Sequence, residues 1–126
     1  MKTIILFSMF FLHIVDDYYL QGILAKFKQK SWWKENAPKE LYKHDFVIAL
    51  MEHAFSWSFM VHIPIMIYTL YFNLPSTFLC VSILLNLVIH ALIDHIKANK
   101  LKINLTTDQM LHFIQIIVTF FVYFSL

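Results

Sequence analysis

Histidine and aspartate recur in this sequence at one spacing that suits metal binding. Three pairs are four residues apart: His13 and Asp17, His90 and Asp94, and Asp108 and His112. Residues four apart lie on the same face of a helix, one turn along. The pairs fall in or at the ends of long apolar segments. Ionisable side chains are costly in a membrane, so their first interpretation there is functional. Neutral imidazole and carboxylate together indicate a metal site.

The composition indicates an integral membrane protein. The chain has 126 residues, enough for one domain, residues 1–126, and 60% of them are hydrophobic. Only 14% are charged, whereas an average soluble domain has roughly 25%. The single cysteine, Cys80, excludes an intramolecular disulfide framework, and its apolar surroundings predict a buried side chain.

Four apolar segments are long enough to span a membrane, because some twenty helical residues cross the hydrocarbon core. We therefore predict an all-α fold, a polytopic membrane protein with four transmembrane helices in a bundle. The predicted helices cover about 3–24, 46–72, 77–96 and 107–126. The first resembles a signal peptide but has no small-residue cleavage site, so we expect it to be retained. Between the first two helices, the basic loop 26–45 carries Trp32 and Trp33, which suit the headgroup level.

The lysines predict the orientation in the membrane. All ten basic residues are lysines, and nine of them follow the first or the third predicted helix. The positive-inside rule then places both lysine loops in the cytoplasm. We expect a multi-pass protein of the bacterial inner membrane with membrane lipids as partners, and a homo-oligomeric assembly stays open. Without arginine, bidentate contacts to bases and phosphates are lost, so no nucleic-acid partner is expected.

The predicted topology brings the pairs to one depth. Asp17, His90 and His112 lie about 10 Å from the cytoplasmic ends of their helices, and His53 falls near the same level. We predict a divalent metal site, with zinc first and manganese or iron as alternatives. The predicted ligands are His13, Asp17, His53, His90, Asp94, Asp108 and His112. A metal-free hydrogen-bond network and a proton or ion pathway stay open as alternatives.

Other polar residues receive predicted roles from their positions. The predicted catalytic residues are Asp17, Glu52, Asp94 and Lys97, since carboxylates can act as general bases and a lysine can hold an anion. The predicted substrate-binding residues are Gln21, Lys97 and Gln109. Asp16 points about 100° away from Asp17 on a helix and is predicted to be interfacial. His62 is predicted to make a hydrogen bond in the core.

Three segments resemble the signature of a known family. HIVDDYYLQ at 13–21, HALIDHIK at 90–97 and DQMLH at 108–112 resemble the motifs of small bacterial and phage membrane proteins grouped as a domain of unknown function. The resemblance implies a helical membrane fold and supplies no established activity. It carries over His13, Asp17, Gln21, His53, His90, Asp94, Lys97, Asp108, Gln109 and His112.

Three functions are compatible with these patterns. The first is a metal-dependent hydrolase that acts on a lipid or phosphoester at the cytoplasmic leaflet. The second is a small oligomeric ion or proton channel or transporter. The third is a non-catalytic phage or mobile-element envelope protein that binds another membrane protein. The turn between the second and third helices has no lysine. This disfavours a pathway through the whole membrane, and a site in one leaflet favours the hydrolase.

Overall fold

The computed structural model describes residues 1–125, and over this range the chain is helical without strands. Four helical stretches are long and apolar enough to cross a membrane, which confirms the predicted fold class. These stretches are Lys2–Leu20, Glu40–Tyr71, Thr77–Ala98 and Leu105–Ser125. They pack together as a bundle in which the second stretch contacts both the first and the third.

The first span changes its winding before it ends. Helix α1 covers Lys2–Val15 and continues into a π-helical turn, Asp16–Leu20. Here the Gln21 amide donates to the Asp16 carbonyl, five residues back, at 2.9 Å. Gly22 then takes a positive φ of 51°, which glycine adopts without steric cost. Single π turns inside helices are frequent at functional sites.

The basic region after this span is folded. It contains α2 (Leu24–Phe27), α3 (Lys30–Asn36) and a 3₁₀ turn (Glu40–Tyr42). We call residues 24–36 the interfacial segment. The Asn99 side chain fastens it, donating to the Lys28 carbonyl at 3.0 Å and accepting from the Lys30 amide at 2.6 Å. Because of these bonds, the segment has a fixed position against the end of the third span.

Helix α4 (Asp45–Tyr71) is the central helix of the bundle and runs through Pro64. It packs against α1 and against α5 (Thr77–Ala98). Helix α6 (Leu105–Ser125) contacts α5 and α1 and closes the bundle. The outer surface is apolar, with many exposed Phe, Leu, Ile and Val side chains, as a lipid-facing surface requires.

The bundle interior combines an apolar cluster with buried polar side chains. The apolar cluster lies away from the lysine loops and consists of Ile5, Met9, Trp57, Val61, Ile65, Leu79, Ile116 and Phe120. Cys80 is exposed, so the prediction of a buried thiol was wrong. Its neighbour Leu79 is the residue that faces the core, and adjacent helical positions point about 100° apart.

Candidate metal centre

The interior of the bundle near the lysine loops contains a cluster of ionisable side chains, which we call the His/Asp cluster. All four long helices and the interfacial segment contribute to it. Its members are His13, Asp16, Asp17, Lys28, His53, His90, Asp94, Lys97, Asp108 and His112. The four histidines have at most 1% of their surface exposed. Buried polar groups must therefore find partners in the protein or in a ligand.

Two overlapping triads could hold a metal ion. The first is Asp17, His53 and His90, and the second is His90, Asp94 and His112; within each triad the ligand atoms lie within 4.8 Å of one another. His53 Nε2 is 3.3 Å from His90 Nε2 and 3.4 Å from Asp17 Oδ1. Tetrahedral bonds of about 2.05 Å separate ligand atoms by about 3.3 Å. The cluster thus has the spacing of a coordination sphere.

Several buried atoms of the cluster have no hydrogen-bond partner. They include Asp17 Oδ1, Asp108 Oδ1 and His112 Nε2. His112 Nε2 lies 3.4 Å from Asp94 Oδ1 and 3.5 Å from Asp108 Oδ1 without bonding to either. An unsatisfied buried polar group costs about 1–3 kcal/mol. A cation placed among these atoms would satisfy several at once, so the residues fit a metal ion.

The formal charges of the cluster point to the same conclusion. Four buried or nearly buried aspartates face two lysines. With neutral imidazoles this leaves a formal charge of minus two. An unbalanced charge inside a membrane bundle is costly. One divalent cation would neutralise it.

Both lysines make short ion pairs with aspartates of the cluster. Lys28 Nζ is 2.5 Å from Asp94 Oδ2, and Lys97 Nζ is 2.6 Å from Asp108 Oδ2. Lys97 was singled out from the sequence, whereas Lys28 was only one of the lysines of the basic loop 26–45. No signal in the sequence separates Lys28 from the other lysines of that loop. Only the fold of the interfacial segment brings it inward.

His13 belongs to the cluster, but both of its ring nitrogens are engaged. Trp57 Nε1 donates to His13 Nδ1 at 2.7 Å, so the proton sits on Nε2, which faces Gln109 Oε1 at 3.1 Å. The Gln109 amide in turn donates to Asp17 Oδ2 and Asp108 Oδ2, both at 3.2 Å. His13 therefore has no free lone pair for a metal, contrary to its predicted role. It positions Gln109, which holds two aspartates.

Asp16 is buried, not interfacial as predicted, with 1% of its surface exposed. Ser56 Oγ donates to Asp16 Oδ1 at 2.6 Å, and Asp16 Oδ2 lies 3.7 Å from His53 Nδ1. Neither Asp16 Oδ2 nor His53 Nδ1 has a hydrogen-bond partner, so Asp16 lies near the His53 ring without holding it. The overlooked signal is the spacing of three residues from His13, which also shares a helix face.

Two further predicted residues have different positions. Gln21 reaches the cluster, because its side-chain nitrogen lies 3.2 Å from His53 Nε2. Glu52 is exposed and makes no hydrogen bond to the cluster within residues 1–125. It is adjacent to His53, and adjacent helical residues point in different directions. The structure thus gives no support to Glu52 as a general base.

A second group of polar side chains, the Asn86 cluster, lies beside the first. Gln115 and Thr119 donate to Asn86 Oδ1 at 2.8 and 3.1 Å. Asn86 donates to the Ser82 carbonyl at 2.9 Å, and His62 Nε2 lies 2.9 Å from Ser82 Oγ. His62 thus makes the predicted core hydrogen bond. Within the described residues, no hydrogen bond joins this cluster to the His/Asp cluster.

Comparison with known proteins supports the family resemblance. Residues 5–126 match the family described as Protein of unknown function (DUF3307). The chain belongs to this family. Neither the curated proteins nor the solved structures gave a match. The family description names no activity, so the function has to be inferred from the geometry of the site.

In this DUF3307 protein, the His/Asp cluster opens into a cleft of about 360 Å³, which we call the lysine cleft. Asp17 and Asp94 line its inner part, where it meets the triads. Lys28, Lys97, Gln21 and Gln109 also line it. The three residues predicted to bind substrate therefore share one opening, together with Lys28.

Proposed function

We propose that this protein is a membrane-embedded, metal-dependent hydrolase of phosphoesters at the lipid–water boundary. The observation that carries the proposal is the His/Asp cluster, whose buried lone pairs lack partners and whose formal charge is minus two with neutral imidazoles. A cleft gives this cluster access to solvent or headgroups. By the positive-inside rule, we place the cleft on the cytoplasmic side of a bacterial inner membrane.

The ion would be held by residues of the two triads, with His90 common to both. Mixed nitrogen and oxygen ligands suit zinc first, and manganese or iron as alternatives. When bound, a divalent ion supplies Lewis acidity toward a phosphoryl oxygen and an attacking water. His13 would act behind the ligands, by orienting Gln109.

Residues of the cluster would supply the proton transfer, the metal ligation and the anion binding that hydrolysis needs. Asp17 lines the cleft, and its Oδ1 has no hydrogen-bond partner. With the ion in the triad of His90, Asp94 and His112, this oxygen can accept a proton from water. Asp94 lies between Lys28 and His112, at 2.5 and 3.4 Å, and is better placed to ligate than to carry protons. Lys97 lines the cleft with a half-buried side chain and can hold the anionic group.

Metal content and turnover, measured on one preparation, test this proposal. Protein purified without chelator should contain one divalent ion per chain and should hydrolyse phosphate esters of lipids. Asp17→Asn should abolish turnover while the protein stays folded, and Glu52→Gln, at an exposed neighbour of the site, should not. Metal-loaded protein that turns over neither lipid nor soluble phosphoesters would refute the hydrolase. The non-catalytic binding function would then be the better account.

One observation favours a second candidate, a proton or ion pathway. The Asn86 cluster extends the polar interior beyond the His/Asp cluster. Further along, Thr69 and Tyr123 bond to each other at 2.5 Å. However, two residues of the apolar cluster, Ile65 and Phe120, lie before this pair. Ile65 precedes Thr69 by one turn of α4, and Phe120 precedes Tyr123 on α6. Because apolar side chains interrupt the polar series, the hydrolase remains our preferred function.

A further inference from the structure

The lysine cleft has more hydrogen-bond donors in its wall than the metal site needs. Lys28 comes from the interfacial segment and Lys97 from α5, and both line the cleft. Three side-chain amides and a phenol also line it, namely Gln21, Gln29, Gln109 and Tyr18, and the carboxylates of Asp17 and Asp94 lie at its inner end. Donors that converge from separate elements on one opening indicate an anionic ligand.

The orientation of Lys28 is the most informative detail. A lysine near a membrane surface normally extends its ammonium group into water. Lys28 instead has only 8% of its surface exposed. The two bonds from Asn99 hold the backbone on either side of it. The fold therefore directs this ammonium group into the cleft.

Each of the two ammonium groups still has donors to spare. An ammonium group can donate three hydrogen bonds, and Lys28 and Lys97 each donate one within the described residues, to Asp94 and Asp108. Two donors on each lysine therefore remain for a ligand. A phosphate monoester carries up to two negative charges and three strong acceptor oxygens. Its acceptors match the donors that the cleft offers.

The outer rim of the cleft is apolar. Leu101 and Leu105 line it with 82% and 55% of their surfaces exposed, beside Ala25 and Ala98. The interfacial segment at this rim also carries Trp32 and Trp33, a pair of residues typical of the headgroup region. A ligand with its phosphate in the cleft would therefore have apolar surface and lipid beside it.

We propose that the lysine cleft binds the phosphate monoester headgroup of a membrane lipid, with Lys28 and Lys97 as its two cationic contacts. This inference rests on the proposed function, because it names the substrate class of the hydrolase. The acyl chains leave over the apolar rim into the bilayer. A soluble phosphate compound has the same charged group but cannot use that rim.

Binding can be measured without turnover. The probe is a non-hydrolysable phosphonate analogue of phosphatidic acid, titrated onto metal-loaded protein in detergent and followed by native mass spectrometry. Lys28→Met and Lys97→Met should each weaken binding by roughly tenfold or more, the usual effect of losing a charged hydrogen bond. Lys102→Met removes the same charge from an exposed loop position and should leave the affinity unchanged. If Lys28→Met fails to fold, then Lys97→Met and Lys28→Arg, which keeps the charge, decide the result.

The outcomes separate this inference from the proposed function. Lysine-dependent binding of the phosphonate without hydrolysis of any phosphoester supports the cleft and refutes the hydrolase. A second outcome is that the protein hydrolyses phosphoesters while the Lys28 and Lys97 variants bind the analogue as well as the Lys102 variant does. That result overturns the inference about the cleft and leaves the hydrolase proposal standing. Glycerol phosphate should compete only at concentrations well above those of the lipid analogue. Equal competition would overturn the assignment to a lipid.

Discussion

At the scale of single residues, hydrogen bonds rather than spacing decide which histidines can bind metal. His13 and His90 each precede an aspartate by four residues. His13 is held by Trp57 and Gln109, which are outside the triads, whereas the two ring nitrogens of His90 face other histidines, His53 at 3.3 Å and His112 at 3.2 Å, and His90 belongs to both triads. The spacing predicted that both would approach the site. It could not separate a ligand from a positioning residue, because the difference depends on Trp57, which lies on another helix.

Replacing His90 should remove most of the bound metal. His90→Ala deletes the residue common to the two triads, so we expect bound metal per chain to fall at least tenfold at equal free metal. Metal analysis after equilibrium dialysis measures this. His44→Ala is the control, because His44 is exposed and this variant should bind as much metal as the unmodified protein. Equal metal content in both variants would exclude His90 as a ligand.

Replacing His13 should have a smaller effect of a different kind. His13→Phe leaves both triads intact but frees Gln109, which holds Asp17 and Asp108. Loss of such an outer partner weakens metal binding by about 10–100-fold, so saturating metal should restore full occupancy. A His13→Phe protein that never reaches full occupancy would show that His13 is itself a ligand.

At the scale of secondary structure, the π turn and the interfacial segment complete the site. Apolar length predicted helices across this region, but a π turn has no strong sequence signal. Asp16 was therefore assigned to the interface, although it lies against His53. Lys28 was not singled out, because a row of lysines in a loop contains no indication of the tertiary contacts that bury one of them.

Shortening the π turn should disrupt the metal site without removing a ligand. Deleting Tyr18 takes one residue from Asp16–Leu20 and should restore α-helical winding, which rotates Gln21 relative to Asp17. We expect reduced metal content in the deletion variant. Tyr18→Ala keeps the length of the turn and serves as the control, since Tyr18 is exposed and is not in either triad. If the deletion binds metal as well as Tyr18→Ala does, the π turn has no role in the site.

At the scale of the whole molecule, the fold class was predictable because a membrane leaves few alternatives. Backbone polar groups in lipid must bond internally, so four long apolar segments predict four helices, and the structure has four such helices. His90 and His112, which were predicted from their similar depth to face one site, have their Nδ1 atoms 3.2 Å apart. The Asn86 cluster was missed, since single Asn, Gln and Ser residues in apolar segments carry no spacing signal.

The orientation in the membrane remains a prediction that labelling can test. Single cysteines at Lys34 and Lys100 should be shielded from an impermeant thiol reagent in intact cells, and a cysteine at Asn73 should react. We expect this labelling pattern because the positive-inside rule places the lysine-bearing loops in the cytoplasm. Cys80 is exposed and should first be replaced by serine. Reaction at Lys34 or Lys100 from outside would invert the topology.

The apolar cluster has a consequence for cell energetics. Its side chains Ile65, Leu79 and Phe120 follow the Asn86 cluster along their helices on the side away from the lysine loops, where an unbroken chain of water or hydroxyl groups would otherwise conduct protons. The His/Asp cluster can therefore exchange ions with one compartment while the membrane potential stays intact. Cells that produce the protein in quantity should keep their proton-motive force, and a planar bilayer that contains it should show no added conductance.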